Sequence, residues 1–431
     1  MPRRFTSFIG SPRRRAWFTA LAVLAASSEA GAAARRPERR TEPTPPAATL
    51  SLHEAVARAW ARLPQRDNLA ARQNRATARY VVGSALTPNA PSANGSYVND
   101  KIAGSNYNYL TSQVELSTPV WLPGEGTATQ RLAQADSAAV YADADATHLQ
   151  LAAEVLDLAT KAALALNNRD VAARRLATDR SLANDLAHRL AVGESSQSDA
   201  LAAQAEASSA EVALGEAEGQ LSSARIALAS VLGVEQIPAL DVPAGARTLR
   251  PIDDMLAAHP RMVAADRAIE AARANLRLVH IQDRDDPEIG LQGTNEKQPG
   301  TRWDTRFGVT LHFHFATEAR NAPLRAAAQE TLTQAEVSAA VARREILAGL
   351  QQAETMLAAY QRSAAAAERA AADLEKRRGQ IERAWRLGEM PFIELVRANA
   401  LALDAVLARD KARTSRSAAL LQLQLAQGQL P

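Results

Sequence analysis

The sequence predicts a mainly helical chain with a membrane β-barrel component: two long coiled-coil hairpins, each preceded by a pair of β-strands. Three observations carry this. The first is a duplication at an offset of about 195 residues, in which Gly193-Glu194 recurs as Gly388-Glu389, Asp199 is matched by Glu394, and Gly233 recurs as Gly428. The second is an apolar seam with 4-3-4-3 spacing, Leu151, Val155, Leu158, Ala162 and Ala165, which recurs at the same offset as Ile346, Leu350, Ala353, Leu357 and Tyr360. That spacing is the coiled-coil repeat. The third is a change of character between the helical stretches, where residues alternate with a period of two and Val114 and Leu116 recur as Val309 and Leu311. A repeated strand-plus-long-helix unit has to be read before any single motif.

The elements follow in order. Residues 51–86 read as a first helix with Ser51 as N-cap and Glu54 as its capping-box partner, bent or interrupted at Leu63-Pro64. Two strands are expected at about 92–101 and 107–118, with Gly104-Ser105-Asn106 turning between them and Pro119 and Leu122-Pro123-Gly124 ending the pair. Residues 125–192 hold no proline, and no glycine after Gly126; as one helix they would span on the order of 100 Å. Gly193 suits the left-handed position that ends this helix, and Ser196 or Ser198 can cap the return over 199–232. The second half repeats the plan: a short helix over 252–282 broken at His259-Pro260, strands at about 287–296 and 304–315, a long helix over 317–387, a reversal at Leu387-Gly388-Glu389, and a return over 392–428. Only Pro323, Gly349 and Gly379 interrupt the second long pattern. The organisation is thus a first repeat at 51–233, a linker at 234–251 and a second repeat at 252–431.

Residues 1–34 read as a signal peptide. Arg13-Arg14-Arg15 forms the basic region, residues 16–26 an apolar run too short for a bilayer, and Ala30 or Ala34 the cleavage position. The Arg14-Arg15 pair also allows twin-arginine export, although Trp17-Phe18 fits that pattern poorly. This leader holds five Arg and one Glu, so its removal takes the formal charge from +3 to about −1. The basic character therefore belongs to the leader and gives no case for nucleic acid. Residues 35–50 read as a flexible lead-in. The chain has no cysteine, which excludes disulfides, thiolate metal sites and an N-terminal lipid on Cys.

Catalytic patterns are missing. His53-Glu54 has Ala57 where a zinc motif needs its second histidine, and Gly124-Glu125-Gly126-Thr127 has no phosphate-loop lysine. His312 and His314 could share a strand face and a divalent ion, but no third ligand is visible, and polar residues of a barrel lumen explain them. No enzyme, cofactor or metal is expected. No apolar run after the leader reaches eighteen residues, which leaves the strands as the membrane element. Four strands cannot close a barrel, for which about eight are needed. Other copies of the chain have to complete it, and three copies would supply twelve strands. Tyr107, Tyr109, Trp121 and Trp303 lie near strand ends, where aromatic residues mark membrane interfaces.

With these features in order and in duplicate, the chain resembles the outer-membrane efflux proteins of the TolC type from about Leu50 to its C-terminus. The stretches that carry the resemblance are Leu52-His53-Glu54-Ala55-Val56-Ala57-Arg58-Ala59 with Leu63-Pro64, Val192-Gly193 followed by Asp199-Ala200-Leu201, Arg386-Leu387-Gly388-Glu389 followed by Glu394-Leu395-Val396, and Leu228-Ala229-Ser230-Val231-Leu232-Gly233. Pro287-Glu288-Ile289-Gly290-Leu291 and Arg320-Asn321-Ala322-Pro323 resemble the heavy-metal, CzcC-like branch. The resemblance implies a homotrimer with a twelve-stranded barrel in outer-membrane lipid and a periplasmic tunnel of twelve helices. It would be a passive exit duct for heavy-metal cations or drugs, joined by a periplasmic adaptor (a membrane fusion protein) to an inner-membrane pump of the RND type.

The resemblance also places the adaptor-facing turns at Val192, Gly193 and Glu194 and at Leu387, Gly388 and Glu389, and a candidate gate at Asp199, Glu394 and Arg397. Arg397 stands where some family members have a second aspartate, so an acidic cation-selecting gate and a salt-bridged closed gate both fit, as does a solvated helix surface. The competing class is a periplasmic coiled-coil adaptor. Adaptors usually carry one hairpin among many short strands, whereas this chain has two hairpins and four strands.

Overall fold

A computed structural model describes residues 50–101, 104, 107–241 and 251–430. The leader, the lead-in before residue 50, the turn residues 105 and 106 and the central part of the linker lie outside the described residues.

Each repeat opens with a broken pair of short helices. α1 (Leu52–Arg62) starts at Ser51, whose Oγ accepts the Glu54 amide at 3.2 Å while the Glu54 carboxylate accepts the Ser51 amide at 3.2 Å. This is the expected capping box, and it satisfies two donors that a helix start leaves open. Leu63 is extended, as a residue before proline must be, and α2 (Gln65–Gly83) begins afresh after Pro64. In the second repeat the same break separates α5 (Ile252–Ala258) from α6 (Pro260–Ile281) at His259, with Pro260 as the first residue of α6, where its missing N–H costs nothing.

The strands β1 (Ser92–Asn99), β2 (Leu110–Pro119), β3 (Glu288–Lys297) and β4 (Asp304–His312) form one antiparallel sheet in the order β1-β2-β3-β4. The β2–β3 pairing, with Leu116 opposite Leu291, joins the two repeats. Two strand boundaries fall three residues from the sequence expectation, the others within two. β2 starts at Leu110 and not at 107, because Asn108 takes a left-handed φ of 67° and the Asp100 carboxylate holds the amides of Tyr107 and Tyr109 at 2.8 and 2.9 Å. β4 stops at His312, although alternation continues through Phe315: His312 is paired with Glu288, the first residue of β3, so no partner remains. His314 therefore does not share a strand face with His312.

The long helices are α3 (Glu125–Ala191), returning as α4 (Gln197–Leu232), and α7 (Glu318–Arg386), returning as α8 (Phe392–Ala426). α3 has 67 residues and α7 has 69. α7 runs unbroken through Pro323, Gly349 and Gly379, with Ile346, Leu350, Ala353 and Leu357 buried along its seam as expected. α3 is the hub, packing on α1, α2, α4, α6 and α8. The main core gathers Leu52, Ala55 and Val56 of α1, Val155 and Ala159 of α3, Leu228 of α4 and Leu421 of α8, with Val155, Leu228 and Leu421 wholly inaccessible. Each such side chain contributes about 1.5–3 kcal/mol of transfer free energy. The alanines set the helix spacing: Ala152, Ala159 and Ala162 are fully buried and let neighbouring backbones come close. Among the described residues no helix is long and apolar enough to cross a membrane.

Candidate tunnel-tip and barrel sites

The two reversals are built alike. After α3, Gly193 has φ 83°, and the Glu194 amide reaches back to the Arg189 carbonyl at 2.8 Å; after α7, Gly388 has φ 76°, and the Glu389 amide reaches the Ala384 carbonyl at 2.9 Å. Both are helix ends that require a left-handed residue, which glycine adopts without strain. A side chain at either glycine would point into open space. The residue before each glycine is apolar and exposed, Val192 at 71% and Leu387 at 74%, and a glutamate follows each.

The structure brings the two ends together, which the sequence did not reveal. Leu186 of α3 and Ala203 and Ala207 of α4 pack with Trp385 of α7 and Phe392 and Leu395 of α8 in a separate hydrophobic cluster. The Arg189 guanidinium lies 4.4 Å from the Trp385 ring centroid, a cation–π contact from the end of one hairpin to the other. The signal available was the pair Trp385 and Phe392 flanking the second turn, in a chain with only 4% aromatic residues.

Asp199 and Glu394 are each the third residue of their helices, where a carboxylate meets the positive end of the helix dipole. Ser196, one of the two expected caps, accepts the Asp199 amide at 3.0 Å. Glu394 and Arg397 form an ion pair at 3.0 Å within one turn of α8. Asp199 is joined to neither. Farther from the turns, burial raises the Asp179 carboxyl above its ordinary range, with Arg175 at 3.7 Å and Glu206 beyond it at 3.8 Å. A cleft of about 760 Å³ between α3, α7 and α8 is lined by Arg174, Arg378, Arg409, Arg413 and Glu368, and by Asn399, which is buried.

At the other end, the sheet has two unlike faces. In register, one face carries the rows Gly95–Val114–Gly293–Phe307, Ala93–Leu116–Leu291–Val309 and Thr118–Ile289–Leu311. Val114, Leu116, Leu291, Phe307, Val309 and Leu311 are all more than half exposed. The Phe307 ring lies over Gly293, 3.5 Å from where a side chain there would begin. The opposite face is hydrogen-bonded: Ser92 to Ser117 at 2.8 Å, Ser117 to Glu288 at 2.7 Å, and Thr310 to Glu115 at 2.6 Å, with His312 at 3.7 Å from Glu115. Aromatic residues mark both ends, Tyr107, Tyr109 and Trp303 beyond the hairpins, and Trp121, Phe313 and Phe315 beside the helices. Strands of eight to ten residues give about 25–30 Å between those belts. The outer strands β1 and β4 each leave one edge unpaired.

The outer membrane efflux protein family matches residues 60–234. A comparison with curated proteins finds no match. Among solved structures, the outer membrane protein VceC from Vibrio cholerae is similar with a TM-score of 0.66 at 18% identity, over 88% of this chain and 96% of that one. The open-state outer membrane channel MtrE from Neisseria gonorrhoeae gives 0.68 at 20% identity, over 88% and 89%. CusC, a transmembrane channel, gives 0.68 at 16% identity, over 88% and 92%. The greater part of the first repeat thus matches the outer membrane efflux protein family, and the described chain carries the fold of solved outer-membrane channels.

Proposed function

We propose that the chain is the outer-membrane exit duct of a tripartite efflux system in a Gram-negative bacterium. Three copies close a twelve-stranded barrel, and their twelve long helices form the tunnel beneath it. The observation that carries this reading is the sheet: four strands, two open edges, one exposed apolar face and one hydrogen-bonded polar face. A soluble protein does not leave such a surface uncovered. Lipid on the apolar side, water on the polar side and neighbouring copies at the edges satisfy every part of it.

The duct is passive, and an inner-membrane pump of the RND type supplies the energy. The turns at Val192-Gly193-Glu194 and Leu387-Gly388-Glu389 meet the periplasmic adaptor, since their exposed Val192 and Leu387 sit at equivalent places on both hairpins. Glu394 and Arg397 form a salt-bridged constriction, and Asp199 takes the matching place on the first hairpin. The segments that resemble the heavy-metal branch serve the junction between sheet and helices, Glu288 accepting from Ser117 and Arg320 binding Asp285 at 2.5 Å. They support the architecture equally for a duct of metal cations and a duct of drugs.

The absence of native cysteine allows a direct test on adjacent residues of β3. In outer-membrane vesicles, a charged maleimide should label Gln292→Cys and leave Leu291→Cys unmodified, while a lipid-soluble maleimide labels Leu291→Cys. Equal labelling of both positions by the charged reagent would contradict the membrane face.

A further inference from the structure

The groove over α8 between α3 and α7 takes no part in the turns, the gate or the sheet. Both long helices pack on α8. On α8, Asn399, Ala402, Val406, Arg409 and Arg413 follow at spacings of three and four, so they share one face. Ala402 and Ala371 of α7 are buried, and their small side chains leave room for the cleft of about 760 Å³. Four guanidiniums line it, Arg174 from α3, Arg378 from α7 and Arg409 and Arg413 from α8, against two carboxylates, Glu368 and Glu375 of α7. Their hydrogen-bonding capacity is unequally used. Arg378 is engaged by Glu375 at 2.7 Å and Glu382 at 3.0 Å, and Arg413 holds Glu368 through Nη2 alone. Arg409 gives Nε and Nη2 to Asp410 at 2.9 Å, which leaves Nη1. Among the described residues the Arg174 guanidinium has no hydrogen-bond or ion-pair partner. Asn399 is only 6% exposed, yet its Oδ1 accepts no hydrogen bond and its N–H groups donate none. A buried amide without a partner is costly, and such groups are rare.

We propose that this cleft binds a doubly charged oxyanion of the phosphate or sulfate class, held by Arg174, Arg409 and Arg413 with the Asn399 amide as a neutral donor. Planar guanidiniums match the oxygens of such an ion, and each has several N–H groups to offer. The lining carries two more guanidiniums than carboxylates, which suits a dianion. The surrounding field has the same sign: residues 169–180, 368–378 and 404–416 of the three helices hold twelve Lys and Arg against seven Asp and Glu. That field is felt at Glu368, whose carboxyl is held below its ordinary range by the Arg413 hydrogen bond, with the charges of Arg413, Arg409 and Arg416 adding to it. Both lining carboxylates are thus ionised and already paired, and the unused donors are those of Arg174, Arg409, Arg413 and Asn399. A bound oxyanion gives Asn399 the partner that it lacks. It also joins Arg174 of the first hairpin to Arg409 and Arg413 of the second, a link between the repeats that no side-chain pair on this cleft supplies.

The test is isothermal titration of the full-length protein in mild detergent with inorganic phosphate, near neutral pH and at an ionic strength held constant with chloride. Wild type should saturate at one phosphate per chain, and sulfate should compete for the same site. Arg174→Gln, at an exposed position, should weaken binding by about tenfold to a hundredfold, the loss expected when a hydrogen bond to a charged group is removed. Asn399→Asp keeps the size of the side chain but sets a carboxylate in the cleft, and should abolish binding without changing the oligomeric mass. Arg369→Gln, on α7 and off the cleft, should bind phosphate as wild type does. Uptake by wild type that does not saturate, or saturable uptake that Arg174→Gln and Asn399→Asp both leave unchanged, overturns the site.

Discussion

Val114 and Gln113 are adjacent residues near the middle of β2, at one depth and on opposite faces of the sheet. Placing an arginine at each separates a membrane sheet from a soluble one. Val114 is flanked in register by Gly95 and Gly293, so an arginine there has no side chain on either neighbouring strand against which to lie. If this face meets lipid, Val114→Arg sets a guanidinium close to the bilayer midplane at about 2–4 kcal/mol per copy. Three copies bring the cost to about 6–12 kcal/mol per trimer, and each copy alone lowers the folding equilibrium by about 30- to 1,000-fold. Gln113→Arg joins Ser96, Thr294 and the nearby Glu115 on the polar face and should change stability by less than about 0.5 kcal/mol. The assay is urea titration of folding into lipid vesicles, with trimer yield read by unheated gel mobility. If both arginines shift the midpoint equally and slightly, the apolar face does not meet lipid and the reasoning fails.

Three further outcomes are expected. Glu394→Ala removes the carboxylate that holds Arg397 at 3.0 Å and should raise single-channel conductance in planar bilayers; unchanged conductance and selectivity would remove the gate. Gly388→Val forces a β-branched residue to φ 76° at about 1–2 kcal/mol and should weaken adaptor capture while the trimer persists, whereas loss of the trimer would make the turn purely structural. His259, buried beside Arg261, is held down to about 4 chiefly by desolvation. Because the unfolded chain takes up that proton more readily, its stabilising effect is complete above about pH 6.5 and is lost as pH falls to about 4, by roughly 2–3 kcal/mol. His259→Gln should flatten the fall in melting temperature over that range; an equally steep fall would refute the assignment.

Much of the fold was legible because it is local and said twice. Capping at Ser51, breaks at Leu63-Pro64 and His259-Pro260, and left-handed glycines at 193 and 388 are decided within a few residues, and the second copy repeats the break and the glycine, though not the capping box, since α5 follows Pro251. The buried seam at Val155, Ala162, Ile346 and Leu350 follows from heptad spacing alone. The end of β4 was not legible, since it depends on β3 running out of residues to pair, a fact located 24 positions upstream at Glu288. The aromatic cluster at Trp385 and Phe392 and the hydrogen bond from Gln282 to Glu125 join segments more than 150 residues apart, and no periodicity within either segment encodes the meeting. Asp199, Glu394 and Arg397 were legible as positions; that Glu394 pairs with Arg397 while Asp199 stands apart at the same third place of its own helix was not.

The central claim is that this sheet is one third of a membrane barrel. Extraction from outer membranes in mild detergent, followed by oligomeric mass and single-channel recording on the same preparation, tests it most directly. The account predicts a trimer that conducts. A soluble, non-conducting monomer or dimer would contradict it and place the chain among periplasmic scaffolds.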